Sequence, residues 1–193
     1  MNDEGKAEAP RIGAGALAAY ALIFVAAPIL TFVIGLSIDR LLGLPELPPF
    51  PLNLIFGFAV FFPGLAVGVK ATRLLYRVGQ GLPWGEARRE ARTTRLVTTG
   101  LYAYTRNPMV LGYSLLPCGM GLMFRSPGMY LFVPAAVVLV NVVIVKTREE
   151  PSLERRFGEE YLKYKKSTPM LLPRPGAVLR WITSLLVGGG KAS

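Results

Sequence analysis

The polar residues of this chain gather into blocks, and the stretches between the blocks are almost free of charge. Ile12–Leu36, Pro51–Val69, Pro108–Met123 and Met129–Val145 are the apolar runs. About 20 such residues cross the hydrocarbon of a bilayer as a helix, and shorter runs cross where the bilayer thins or polar ends snorkel. The first two runs therefore predict spans outright. The last two are short and joined by Arg125-Ser126-Pro127-Gly128, which predicts a helical hairpin. Pro28 predicts a kink in the first span. Gly64-Leu-Ala-Val-Gly68 in the second is a small-xxx-small pattern that lets another helix approach closely. Gly112 and Gly119 share a face of the third run, which fits either tight packing or a groove.

Between the runs, Gly43–Pro51 carries four prolines and reads as a stiff external loop. Lys70–Thr99 is basic and broken by Gly79, Gly81, Pro83 and Gly85, with Trp84 placed as an interfacial anchor. Arg88, Arg89, Arg92 and Arg95 lie at near-helical spacing, as an exposed or lipid-facing basic stripe or as a site for an anionic group. Pro151 disfavours helical angles at Glu150, so a break is expected there and a new helix over 151–166. In that helix Leu153, Phe157 and Tyr161 recur on one face with Tyr164 beside them, while Arg155, Arg156, Glu159 and Lys163 take the polar side. Such a helix lies along the membrane surface or folds back over the bundle mouth. Ala177–Val187 is too short to span and reads as interfacial, anchored by Trp181. Met1–Arg11 reads as a disordered tail and Gly188–Gly190 as a loose end.

The pattern predicts an all-α integral membrane bundle of about four spans in a single domain, 1–193, with a fifth, interfacial or re-entrant helix at the C-terminus. Composition agrees: 52% of residues are hydrophobic and 18% charged, against about 25% charged in soluble domains. The formal net charge is +10, yet of the 22 Lys and Arg only Arg40 and Arg125 fall in the loops following spans one and three. The positive-inside rule thus puts both termini and Lys70–Arg106 in the cytoplasm. A basic rim facing anionic headgroups accounts for the charge, and no nucleic-acid partner is expected. The absence of histidine excludes His-based zinc, haem and general-base chemistry, and no metal is expected. Cys118, the single cysteine, sits within the third run, where packing is its expected role. The polar first ten residues and the long run after them do not form a cleavable signal.

Chemistry concentrates in Leu96–Gly112, a glycine-broken loop that becomes an apolar helix. Pro108 suits a first helical turn and Asn107 a cap before it. The free amides of that turn make a positive pole for a carboxylate or ribose. Glu149 and Glu150 follow the last apolar run. Two adjacent acids there either reach water and pair with Lys146 or Arg148, or face a cationic ligand. If both stretches hold one ligand, S-adenosyl-L-methionine fits, with its sulfonium, ammonium, carboxylate and ribose diol.

Gly100-x-Tyr102-x-x-x-Arg106-Asn107-Pro108, then Gly112, then Glu149-Glu150-x-x-Leu153-x-x-x-Phe157-Gly158-Glu159-Glu160-Tyr161-x-x-Tyr164 and Pro173, resembles the C-terminal signature of the isoprenylcysteine carboxyl methyltransferase family. That group includes membrane phospholipid methyltransferases and many bacterial relatives. The resemblance implies an integral membrane methyltransferase that binds S-adenosyl-L-methionine without a Rossmann sheet, and the chain lacks the glycine-rich fingerprint of such a sheet. It implies a bacterial or archaeal inner membrane, with the cofactor on the cytoplasmic side. The family-like part is 94–173, made of a helical hairpin over 107–146 and the helix 151–166, after two N-terminal spans in 1–69. By resemblance the cofactor is enclosed by Leu96, Val97, Tyr102, Arg106, Asn107, Pro108, Met109 and Val110, and by the Glu149–Glu150 pair, the first glutamate above all.

Four positions depart from the family pattern: Asn107 replaces a histidine, Val110 an aromatic, Met170 an arginine, and Val145 the arginine that takes the substrate carboxylate in prenylcysteine enzymes. The implied reaction is therefore methyl transfer to a lipophilic small molecule or lipid within the membrane, with the acceptor and any catalytic base left open. Two other readings stand beside it. An NADPH-dependent membrane sterol or enone reductase is favoured by Arg88–Arg95 and opposed by Glu149 and Glu150, which would repel its phosphates. A non-catalytic membrane scaffold would keep the fold and bind no cofactor.

Overall fold

The computed structural model describes residues 14–81 and 93–186. Met1–Arg11, Trp84, Arg88, Arg89, Arg92 and the Gly188–Gly190 end lie outside them. Among the described residues the fold is helical throughout: α1 (Ala14–Leu42), α2 (Leu52–Arg77), a 3-10 turn (Gly100–Ala103), α3 (Pro108–Met123), α4 (Val133–Ile144), α5 (Glu150–Ser167) and α6 (Val178–Leu186). Wide π-turns at Gly128–Phe132 and Val145–Glu149 fuse the α4 and α5 region into one continuous helical run.

Three stretches are long and apolar enough to cross a membrane, Val25–Leu42, Leu52–Arg77 and Gly128–Ser167, the last by virtue of its α4 half. α3 is shorter: its 16 residues rise about 24 Å, less than the ~30 Å hydrocarbon core. Ile29, Val33, Phe58, Phe62, Leu139 and Val140 face outward, as lipid contact requires and water would penalise.

The helices are longer than the apolar runs. α1 continues past Leu36 to Leu42, and α2 past Val69 to Arg77, so Lys70–Arg77 extends a span instead of starting a loop. Long basic side chains allow this by lying along the helix with their charges at its rim. The expected break at Glu150 is also absent. Glu150 has helical angles (φ −58°, ψ −48°). The wide turn just before it loosens the i−4 carbonyl that Pro151 would otherwise strike. The chain departs from helical geometry at Gly158 instead (φ 50°, ψ −128°), a conformation that side chains with a Cβ avoid.

The contact between α2 and α3 is backbone-close because glycine makes it so. A Cβ on Gly112 would lie 2.7 Å from the Gly68 nitrogen, one on Gly64 2.6 Å from the Leu115 Cβ, and one on Gly119 2.7 Å from the Phe61 nitrogen. Gly112 and Gly119 therefore serve packing, and the groove reading of that face fails. At the opposite end, Asp39 of α1 accepts from the Gly128 N–H (2.6 Å) and from the Ser126 hydroxyl. The hairpin turn predicted at Arg125–Gly128 is present, with Ser126 N–H bonded to the Gly121 carbonyl at 2.9 Å. Gly112→Val is expected to force α2 and α3 apart and cost about 1–3 kcal/mol, read as a lower thermal midpoint in detergent micelles; an unchanged midpoint contradicts this packing.

Candidate active site

Residues 105–107 lie alongside 168–171, and this pairing draws the start of α3 against the end of α5. The Arg106 N–H bonds to the Pro169 carbonyl (2.9 Å) and the Asn107 N–H to that of Met170 (3.1 Å). The buried Thr105 hydroxyl is within hydrogen-bonding distance of the Met170 and Leu171 carbonyls (3.0 and 2.8 Å). The Asn107 side-chain amide donates to Met170 (3.2 Å) and makes no capping bond to α3. Asn107 thus occupies the cap position without capping, because the neighbouring strand of backbone claims its side chain.

Arg106 fixes the other wall. Its Nε donates to the Thr168 carbonyl (3.0 Å), and its Nη1 to Glu150 (2.7 Å) and to the Tyr161 hydroxyl (3.2 Å). Lys165 bonds the second oxygen of Glu150 at 2.6 Å and Glu154 at 2.8 Å. The Tyr164 hydroxyl donates to the Tyr102 carbonyl at 2.6 Å. Arg156 donates to the Thr93 carbonyl and holds the loop to α5.

These contacts leave a cleft with about 450 Å³ of empty space, its open mouth included. Thr93, Leu96 and Val97 of the loop, Tyr102, Arg106 and Asn107 form one side; Val145, Glu149, Leu153, Tyr161 and Tyr164 form the other, with Leu75 of α2 at the back. The two stretches singled out in the sequence do converge. Of the ten residues named there, Leu96, Val97, Tyr102, Arg106, Asn107 and Glu149 line the cleft. Pro108 and Val110 are buried in helix packing, and Met109 packs on the core formed by Val67, Ala71, Val97, Leu101 and Tyr102. Glu150 turns into its ion pairs, whereas Glu149 lines the cleft. Its partners are Arg106 and Lys165, not the adjacent Lys146 or Arg148.

Tyr161, Tyr164 and Leu153, read in the sequence only as an apolar helix face, prove to be cleft wall. Their clue was two tyrosines three residues apart on an otherwise charged helix. Leu75 and Thr93 carried no such signal.

Charge is distributed unevenly around the site. Burial disfavours the charged form of Glu150, but the Lys165 ammonium and the Arg106 guanidinium outweigh it and hold the carboxyl below the usual glutamate range. Burial pushes the Tyr102 phenol up, reinforced by Tyr164, Tyr113 and Glu149. Burial likewise raises Tyr164 despite nearby Arg106, and burial together with Glu150 raises Tyr161. The three phenols are neutral at physiological pH. Glu149 supplies negative charge at the cleft wall itself.

Glu150→Gln leaves Arg106 buried without its counter-charge and is expected to cost about 3 kcal/mol at neutral pH. Because the folded carboxyl titrates below its unfolded value, that stability is complete above the ordinary glutamate pKa and is lost as pH falls through the folded one. The gap between wild type and variant in thermal unfolding should therefore close below about pH 4; a gap independent of pH contradicts the assignment.

Comparison with known proteins identifies the family. The profile of the phospholipid methyltransferase family matches residues 52–160, which takes in α2, the loop, α3, α4 and the first half of α5. Protein-S-isoprenylcysteine O-methyltransferase of Homo sapiens is 39% identical over 82 residues, 42% of this chain and 28% of that protein. The Schizosaccharomyces pombe protein of that name is 27% identical over 149 residues, 72% of this chain and 60% of its own. The chain thus spans less than two thirds of the length of the curated relatives it matches. No solved structure matches it. With the family profile running over more than half of its length, and over the helices that build the cleft, the chain belongs to the phospholipid methyltransferase family.

Proposed function

We propose that this protein is a membrane methyltransferase that uses S-adenosyl-L-methionine and methylates a lipophilic acceptor arriving from the bilayer. The observation that carries the reading is the convergence of Glu149 with Leu96, Val97, Tyr102 and Asn107 around one cleft. The cleft wall suits a ligand that is part flat and apolar, part cationic: aliphatic side chains, neutral phenols and one carboxylate. Glu149 would hold the cationic end, Asn107 and Tyr102 the polar groups, and Leu96, Val97 and Leu153 the apolar base.

The cofactor, when bound, supplies a methyl group on a positively charged sulfur, which a nucleophile can take in a single displacement. The protein's part is then alignment and exclusion of water, which can account for several orders of magnitude in rate. Glu150 is committed to Arg106 and Lys165, and the tyrosines are neutral, so the described wall supports catalysis by positioning. An apolar groove between α3 and α4 supports a lipid acceptor. It is lined by Leu115, Cys118, Pro134, Val138, Leu139 and Val142, and Val142 is one helical turn from Val145 in the cleft. Val145 itself presents no charge to the acceptor. The basic blocks around the cleft support a cytoplasmic location for it.

Removing a charge-assisted contact of about 1.5–3 kcal/mol weakens binding roughly 10- to 150-fold. Glu149→Ala should therefore lose the thermal stabilisation that S-adenosylhomocysteine gives the wild type, with NADPH stabilising neither. Full retention in the variant rejects the role of Glu149, and stabilisation by NADPH in its place favours a reductase.

A further inference from the structure

The helix α6 lies beyond the segment that the family profile matches, yet it braces the cleft. Trp181 and Leu185 pack on the cluster of Val67, Ala71, Val97, Leu101 and Tyr102. Val97 and Tyr102 are also cleft wall. Lys70 of α2 donates to the Leu185 carbonyl, which pins α6 at the level where the apolar part of span two ends.

The apolar arc of α6 is wider than the protein surface beneath it. Trp181, which the sequence suggests as an interfacial anchor, packs on the protein. The arc continues through Val178, Ile182 and Leu179, which are 37%, 42% and 78% exposed. Arg180 and Thr183 occupy the other side of the helix, also exposed. Arg174 just before α6, and Arg73 and Arg77 at the end of α2, are exposed as well. An amphipathic helix with a basic margin, fixed at the end of a span, has the make-up of a segment seated among anionic headgroups.

We infer that α6 docks by its Val178–Leu179–Ile182 side on the anionic lipid surface of the protein's own membrane, and that this docking tightens the Val97–Tyr102 wall for ligand. Lipid charge then sets cofactor affinity through a helix that touches no cofactor. The second half of the inference rests on the methyl-donor reading above; the first does not.

The test uses the full chain in nanodiscs of phosphatidylcholine alone or with phosphatidylglycerol. A nitroxide at Leu179→Cys, in a Cys118→Ala background, reports depth by its relative access to oxygen and to a water-soluble nickel chelate. Oxygen-favoured access is expected; chelate-favoured access in both discs overturns the docking. Each basic residue beside an anionic surface gives roughly a fivefold preference for it, so the wild type should bind S-adenosylhomocysteine several-fold more tightly in the anionic discs. Arg174→Gln with Arg180→Gln should abolish that difference. Equal wild-type affinity in both discs, or a difference that survives in the variant, overturns the coupling. Absence of S-adenosylhomocysteine binding in every disc, with the label still at lipid depth, overturns the methyl-donor reading and the coupling together while upholding the docking.

Discussion

The ion pairs that tie Arg106 to Glu150, and Glu150 to Lys165, are the constraint on which the site depends. Arg106 precedes α3 by two residues, and Glu150 opens α5. Joining them closes a loop of the chain that contains the whole α3–α4 hairpin. The side chains of both residues are nearly enclosed, at 10% and 8% exposure. Neither charge would be tolerable there alone, and removing either partner costs more than the pair contributes. The same guanidinium reaches Tyr161 and the Thr168 carbonyl, so one side chain sets both the angle of α5 and the path of the segment after it. Glu149, its neighbour, is thereby turned to the cleft.

That clasp rests on a closely packed membrane part. Glycines at 64, 112 and 119 bring α2 and α3 to backbone contact, which places Leu75 at the back of the cleft and fixes where α3 begins. On the far side, Asp39 holds the hairpin turn and so registers α1 against α4. A bilayer supplies little hydrophobic drive between helices, so close packing and buried hydrogen bonds do the holding. The cleft lies at one end of this packed unit, with the loop, α5 and α6 laid over that end.

Much of this was legible in the residues. The apolar runs marked the helices α1 to α4, and the Asn107–Pro108 and Glu149–Glu150 motifs marked the two sides of the cleft. What local pattern could not reveal was long-range. Nothing beside Glu150 in the chain announces Arg106, 44 positions away, as its partner, so local pattern did not separate the two acids and only the family resemblance ranked Glu149 first. Asn107 has the composition of a helix cap, yet Met170 takes its amide. Pro151 has the signature of a break, which the widened turn before it absorbs. Trp181 read as a membrane anchor because the core it covers is assembled from α2 and the loop. For Glu150, Asn107 and Trp181 a tertiary contact overrode a sound local preference.

The most direct measurement is ultraviolet crosslinking of radiolabelled S-adenosylmethionine to the purified protein, followed by peptide mapping. The account predicts label in peptides from both 93–110 and 145–164, suppressed by excess S-adenosylhomocysteine. Label confined elsewhere, or insensitive to that competitor, would contradict a cofactor held between these two stretches.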